Sequence, residues 1–311
     1  MRVLVTGAAG YVGRAVVHHL SRAGHEVVGM VRTPPVRPLP RTVHVVTARL
    51  EDVESLRSAL AGVEGVCHLA ALTRVRDSFD RPTDYFHVNV TGTLNLLDAL
   101  AAESGRLDGP ARLVLASTGA VYGVPDVQPI TEDQAPHPLN PYGASKLAAE
   151  QAVGWQAATG ALGAVTLRAF NVAGAVGGHA DPDDTRIIPK ALAVAAGQAP
   201  RLEVNGDGSA VRDFVHVGDL ASAFVMALAA CEPGAHRIYN ACGGHGVSVR
   251  DVISAVERVT GRVVSVHWGP PKPEPAVLLG DNSAIMADLG WSPRESGLDE
   301  IVRDAWQAIA N

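Results

Sequence analysis

Val3-Leu4-Val5-Thr6-Gly7-Ala8-Ala9-Gly10-Tyr11-Val12-Gly13 sets the reading of the whole chain. A short apolar run ends in a glycine-rich turn, and a helix-like stretch, 11–23, follows at once. Glycines at such a junction permit a tight turn, close approach of the backbone to a pyrophosphate, and close helix–strand contact. The N-terminus of the helix then offers unpaired N–H groups to the phosphate. The plain alternative is an ordinary strand–helix turn. Position at the first junction of an alternating strand–helix pattern favours a dinucleotide loop, although the spacing is G-x-x-G-x-x-G rather than G-x-G-x-x-G.

Outward from that loop, 3–6, 26–31, 43–47, 65–70, 112–117 and 164–168 read as strands. Most lack polar–apolar alternation, as strands buried on both faces do. Helix-like stretches 11–23, 53–61, 84–103 and 142–159 lie between them. The pattern predicts an α/β fold with a Rossmann-type doubly wound parallel sheet. Near Asn171 the pattern loosens, with Gly, Pro and Asp frequent in 173–184. The expected division is a dinucleotide-binding domain over 1–170 and a smaller mixed α/β substrate-binding lobe over 171–311, with a return to the sheet near 211–245. Within the second part 237–240 reads as a buried strand, 249–259 as a helix and 299–310 as a final amphipathic helix. Residues 32–41, with four prolines, read as an extended loop.

The 311 residues suffice for such a two-part chain at roughly 150 per domain. With 47% apolar and 19% charged residues the chain is not disordered. A net charge of −6 argues against nucleic-acid binding and acidic membranes, which need a basic face. The longest apolar run, 220–231, is too short to span a bilayer. Cys67, Cys231 and Cys242 form no metal-like spacing, and an odd number of cysteines fits a reducing, cytoplasmic setting better than a disulfide framework. His18, His19, His44 and His87 likewise show no metal spacing, so no metal is expected. His216 reads as an orienting core histidine, and Trp268 and Trp291 as packing residues of the small lobe.

The end of the second strand bears on the cofactor. An acidic residue there would bond the adenosine ribose 2′-hydroxyl of NAD. This chain has Met30-Val31-Arg32-Thr33, and Arg32 suits a 2′-phosphate. A solvated arginine is the plain alternative, and NADP stays open beside NAD.

Lysine is scarce: Lys146, Lys190 and Lys272 are the only ones. Lys146 stands four residues after Tyr142, which places the two on one helix face. A phenol is a poor base at neutral pH, but a neighbouring ammonium and a positive nicotinamide favour phenolate. Thr118, at the end of 112–117, can hold a substrate oxygen. Together Thr118, Tyr142 and Lys146 compose a general acid/base beside a hydride acceptor.

With these motifs the chain resembles the extended short-chain dehydrogenase/reductase family, in its NAD-dependent epimerase/dehydratase branch, and within it the UDP-sugar 4-epimerases of galactose type. Besides the glycine loop, His68-Leu69-Ala70-Ala71, Asn89-Val90-Thr91-Gly92-Thr93 and Tyr142-Gly143-Ala144-Ser145-Lys146 carry the resemblance at the superfamily level. Phe170-Asn171-Val172-Ala173-Gly174, Arg212-Asp213-Phe214-Val215-His216 and Tyr239-Asn240 carry it on the substrate side. It implies Tyr142 as the base on the sugar 4-hydroxyl, assisted by Thr118, with Lys146 on the nicotinamide ribose. The cofactor would be NAD, lined by Gly7, Gly10, Tyr11, Val12, Gly13, Arg32, Leu50, Leu69, Ala70, Ala71, Asn89 and Ser117. Thr73, Thr118, Asn171, Arg186 and Arg212 would meet a nucleotide sugar, the two arginines its diphosphate. A homodimer through 84–103 and 142–159 is also implied.

Four departures from the family pattern stand out. Val31 and Arg32 replace the usual aspartate region, and Arg49 replaces an acidic residue beside the adenine. Pro271-Lys272-Pro273-Glu274-Pro275 stands where relatives carry an arginine and a Gly-Asp pair, with Lys272 and Glu274 as substitutes. Leu278 falls near the position that limits bulk at the sugar. An NADP-dependent reductase or dehydratase acting on a keto- or deoxy-sugar nucleotide is the alternative enzyme reading; a cofactor-binding sensor is the non-enzymatic one.

Overall fold

The computed structural model describes residues 1–104, 109–272 and 275–310. Its first half alternates β1 (Arg2–Thr6), α1 (Tyr11–Arg22), β2 (Glu26–Val31), β3 (His44–Thr47), α2 (Val53–Leu60) and β4 (Gly65–His68). Two short helices, α3 (Val75–Asp80) and α4 (Pro82–Phe86), lead into α5 (Gly92–Ser104), β5 (Ala111–Thr118), α6 (Pro141–Ala158) and β6 (Leu162–Ala169). The loosened half holds β7 (Asn171–Ala173), β8 (Ala175–Val176), β9 (His179–Ala180), α7 (Ile187–Ala195), β10 (Leu202–Asn205), β11 (Val211–His216), α8 (Val217–Ala229) and β12 (His236–Ala241). It closes with β13 (Gly246–Ser248), α9 (Val249–Thr260), β14 (Val266–Gly269), β15 (Val277–Leu278), α10 (Ser283–Leu289) and α11 (Leu298–Ala310).

The main sheet has seven parallel strands in the order β3-β2-β1-β4-β5-β6-β12. The chain runs outward from β1 to β3, then starts again at β4 on the other side of β1. A crevice opens at the carboxyl ends of the strands where the order reverses. Register brings Thr6 opposite both Met30 and His68, so these strand ends face one crevice. All of β4 and nearly all of β6 are buried, which explains their largely apolar sequences without polar–apolar alternation. One face of the sheet packs α1 and α8; the other packs α2, α5 and α6.

In the second half β11 pairs with β7, β13 and β15 in a smaller sheet, over a separate core that includes α7, α9 and α11. Within 211–245, then, β11 lies in the small sheet, while α8 covers the main sheet and β12 joins it.

Three expectations give way to the structure. The stretch 84–103 is not one helix: α4 ends at Phe86, and a wider turn over His87–Thr91 precedes α5. The cause is Asn89, 1% exposed, whose amide nitrogen donates to Leu72 O (3.0 Å) and Ser145 Oγ (3.0 Å) and whose carbonyl accepts from Leu72 N (2.8 Å). Turning that side chain inward takes an extra residue in the turn. Trp291 belongs to the core beneath the main sheet rather than to the lobe; its indole N–H donates to Asp219 O at 2.9 Å. Trp268 is 43% exposed, with the Arg250 guanidinium stacked 4.9 Å from its ring centre.

Candidate active site

A cleft of about 1850 Å³ follows the carboxyl ends of the strands from the end of β2 to the lobe. Its pyrophosphate end is built by glycines that no other residue can replace. Gly7 has φ +70°, and a Cβ on it would meet the Ala70 backbone at 3.0 Å. A Cβ on Gly13 would lie 2.1 Å from Gly7 O. Such a loop, drawn tight against the start of α1 and walled by Ala9, Gly10, Tyr11 and Val12, fits a dinucleotide. Thr6 Oγ1 fixes the opposite wall by accepting from Leu69 N (3.1 Å) and Ala70 N (3.0 Å). The Tyr11 hydroxyl donates to Gly174 O (2.8 Å) and so ties the loop to the lobe.

Gly7, Gly10, Tyr11, Val12, Gly13, Arg32, Leu50, Leu69, Ala70, Ala71, Thr73, Ser117, Thr118, Tyr142, Lys146, Asn171, Arg186 and Arg212 all line this cleft. Asn89 does not. It is buried behind the wall, where it fixes Leu72 and Ser145. Lys272 is exposed and is not among the lining residues, and Glu274 lies outside the described residues.

At the chemical centre β5 delivers Ser117 and Thr118, and the first turns of α6 deliver Tyr142 and Lys146. Asn140 caps α6 by accepting from Gly143 N at 2.8 Å, and Pro141 starts it. The Thr118 oxygen accepts from Ala120 N (3.1 Å), which leaves its proton to favour the Tyr142 phenolate. Burial holds the Tyr142 phenol above its ordinary pKa, opposed by the Thr118 hydroxyl and by the Arg186 guanidinium. Desolvation outweighs both. Burial also brings the Lys146 ammonium down to about 8, with the Glu150 carboxylate pulling the other way.

Glu150 escaped the sequence reading. It follows Lys146 by four residues, as Lys146 follows Tyr142, so the spacing rule that found one contained the other. It is 2% exposed, pairs with Arg168 (Nη2–Oε2, 2.7 Å) and accepts the Ser117 hydroxyl. Arg168 in turn lies 4.7 Å from the centre of the Tyr122 ring. This buried pair locks β5, α6 and β6 together behind the site.

The substrate side carries more charge than the motifs suggest. Arg186 is held by Asp181 (3.0 Å) and Asp183 (3.6 Å), and Arg74 reaches Asp183 from across the cleft at 3.7 Å. Arg212 donates to Val211 O (2.8 Å) and Pro275 O (2.9 Å). Asn171 Nδ2 donates to Asp213 O at 2.8 Å. Asp213 itself is fully buried and accepts from Gly243 N (2.6 Å), Gly244 N (3.1 Å) and Gly280 N (3.3 Å).

Residues 3–242 match the model of a family described as the NAD dependent epimerase/dehydratase family. A UDP-glucose 4-epimerase of Corynebacterium glutamicum is 40% identical, with 98% of this chain and 95% of the relative covered. One from Streptomyces lividans is 39% identical over the same shares. Among solved structures, a UDP-glucose 4-epimerase from Stenotrophomonas maltophila with bound NAD and formylated UDP-arabinopyranose superposes with a TM-score of 0.90. Its identity is 32%, over 100% of this chain and 98% of that one.

Proposed function

The chain belongs to the NAD dependent epimerase/dehydratase family, and we propose that within it the protein is an NAD-dependent nucleotide-sugar 4-epimerase that interconverts UDP-glucose and UDP-galactose. The observation that carries this reading is that Thr118, Tyr142 and Lys146 line one cleft with a dinucleotide loop at one end and Arg186 and Arg212 at the other. The chemistry a bound nicotinamide supplies is reversible hydride transfer at C4 of the sugar.

The chain's own residues supply the rest. Tyr142 takes the proton of the 4-hydroxyl as the C4–H bond breaks and returns it when the 4-keto sugar, turned over, accepts hydride on its other face. Thr118 donates to the Tyr142 oxygen and favours its phenolate. Lys146, kept charged by Glu150, holds the ribose beside it. Arg186 and Arg212 meet the diphosphate, so the sugar can rotate about a fixed anchor.

We also place the protein in a homodimer through α5 and α6. Trp155 on α6 is 78% exposed and Leu94 on α5 44%, an apolar surface that a second copy would cover. Three buried free cysteines suit the cytoplasm. No helix among the described residues is long and apolar enough to cross a membrane.

The experiment is direct. Purified protein is incubated with UDP-galactose and no added dinucleotide, and the product is identified. UDP-glucose is expected; consumption of NADPH by a keto-sugar, with no interconversion of the two hexoses, would replace the epimerase with a reductase.

A further inference from the structure

We infer that the adenosine end of the cleft accepts a 2′-phosphate, so that the chain holds NADP as well as NAD, with Arg32 as the residue that recognises the phosphate. This rests on the cofactor cleft of the preceding subsection. Two independent features meet at the end of β2. The first is a missing repulsion: the last strand residue is Val31, 4% exposed, where a carboxylate would bond the ribose hydroxyls and repel a phosphate. The second is an unspent cation: Arg32, next in sequence, lines the cleft with Thr33 and Pro35 and is exposed. Among the described residues it makes no hydrogen bond or ion pair, and it helps to hold the Glu51 carboxyl low.

Glu51 is the carboxylate that could spoil this site, and it is already engaged. Arg49 donates to it through Nε at 2.7 Å. Arg32 and Arg49 against Glu51 leave one positive charge over at this corner of the cleft. Leu50, 7% exposed, lines the same cleft and packs on the helix start at Gly92, where a Cβ would come within 2.9 Å of it. Asn95 Nδ2 holds the Leu50 carbonyl at 2.8 Å and keeps that wall in place. A guanidinium with its five donors free, beside a strand end without a carboxylate, matches the geometry and charge of a phosphate monoester.

The test uses the full chain. Wild-type protein, Arg32→Ala and Val31→Asp are each incubated with an equimolar mixture of NAD and NADP, repurified, and denatured, and the released dinucleotides are identified by mass. Wild type is expected to release both. In Arg32→Ala the NADP-to-NAD ratio should fall about tenfold or more, the loss expected for a charge-assisted contact, while NAD is kept. Val31→Asp should keep NAD and lose NADP. NAD alone from wild type overturns the inference, as does an Arg32→Ala variant with an unchanged ratio. Release of neither dinucleotide from wild type overturns the cofactor cleft itself along with it, an outcome distinct from the other two.

Discussion

Lys146 and Glu150 stand one turn apart on α6, both almost fully buried, and the carboxylate of Glu150 offsets part of what burial costs the Lys146 ammonium. Glu150 also pairs with Arg168 and accepts from Ser117, so it joins α6 to β5 and β6. Replacing Glu150 by Gln removes one charge and strands two. Destabilisation of roughly 3–5 kcal/mol is expected, as for other buried pairs broken on one side, and is read from denaturant unfolding. Stability within 1 kcal/mol of wild type would show that the pair does not hold these elements.

The same relation sets a pH limit. Lys146 loses its proton near pH 8 in the folded chain against 10.5 ordinarily, so activity that needs the ammonium should fall as pH rises through about 8. Burying the charge costs stability below pH 8, and that cost is relieved between pH 8 and 10.5, where the unfolded chain still binds the proton. In Glu150→Gln the alkaline limb of kcat should move to lower pH. A limb that stays in place would separate Glu150 from the state of Lys146.

Asp213 works with the opposite sign. Burial raises its carboxyl from 3.8 to about 6 despite three N–H donors. The folded chain therefore binds a proton that the unfolded chain has lost between pH 4 and 6, and stability declines as pH rises across that window, then levels. The urea midpoint of wild type should fall across it relative to Asp213→Asn, whatever the absolute stability of the variant. Parallel profiles for the two proteins would contradict this.

Gly13→Ala places a Cβ 2.1 Å from Gly7 O, a contact that backbone cannot absorb without moving the loop. Bound dinucleotide should be lost on purification while the far-UV circular dichroism stays near wild type. Full retention of dinucleotide would mean that the loop does not hold it.

Cys67, Cys231 and Cys242 are free, buried, and held in the thiol form by burial. A thiol reagent at pH 8 should find none of the three in the native protein and all three in denaturant. Rapid reaction of the native chain would show an opening of the core that the fold does not provide.

The main sheet was legible because strands covered on both faces are largely apolar and lack alternation: 65–70 and 164–168 read as strands without context, and the strands found are Gly65–His68 and Leu162–Ala169. The break at His87–Thr91 was not, because nothing local demands it; Asn89 turns inward to satisfy Leu72, a partner fixed only by the tertiary fold. The lobe's strands of two or three residues, such as Val277–Leu278, are too short for any alternation to show. Glycine spacing and the Tyr142–Lys146 interval pointed to residues that the fold brings into one cleft. The substrate half was less readable, since the hold of Asp181 and Asp183 on Arg186 depends on how the segment before α7 folds back on itself.

Retention of the sugar's own C4 hydrogen separates hydride return within the cleft from exchange with solvent. UDP-galactose carrying deuterium at C4 is incubated with the protein in ordinary water, and the UDP-glucose formed is examined by mass spectrometry and proton NMR. Removal and return of one hydride within a closed cleft, with Tyr142 handling only the oxygen's proton, predicts deuterium kept at C4 of the product. Product with hydrogen from solvent at C4 would contradict it.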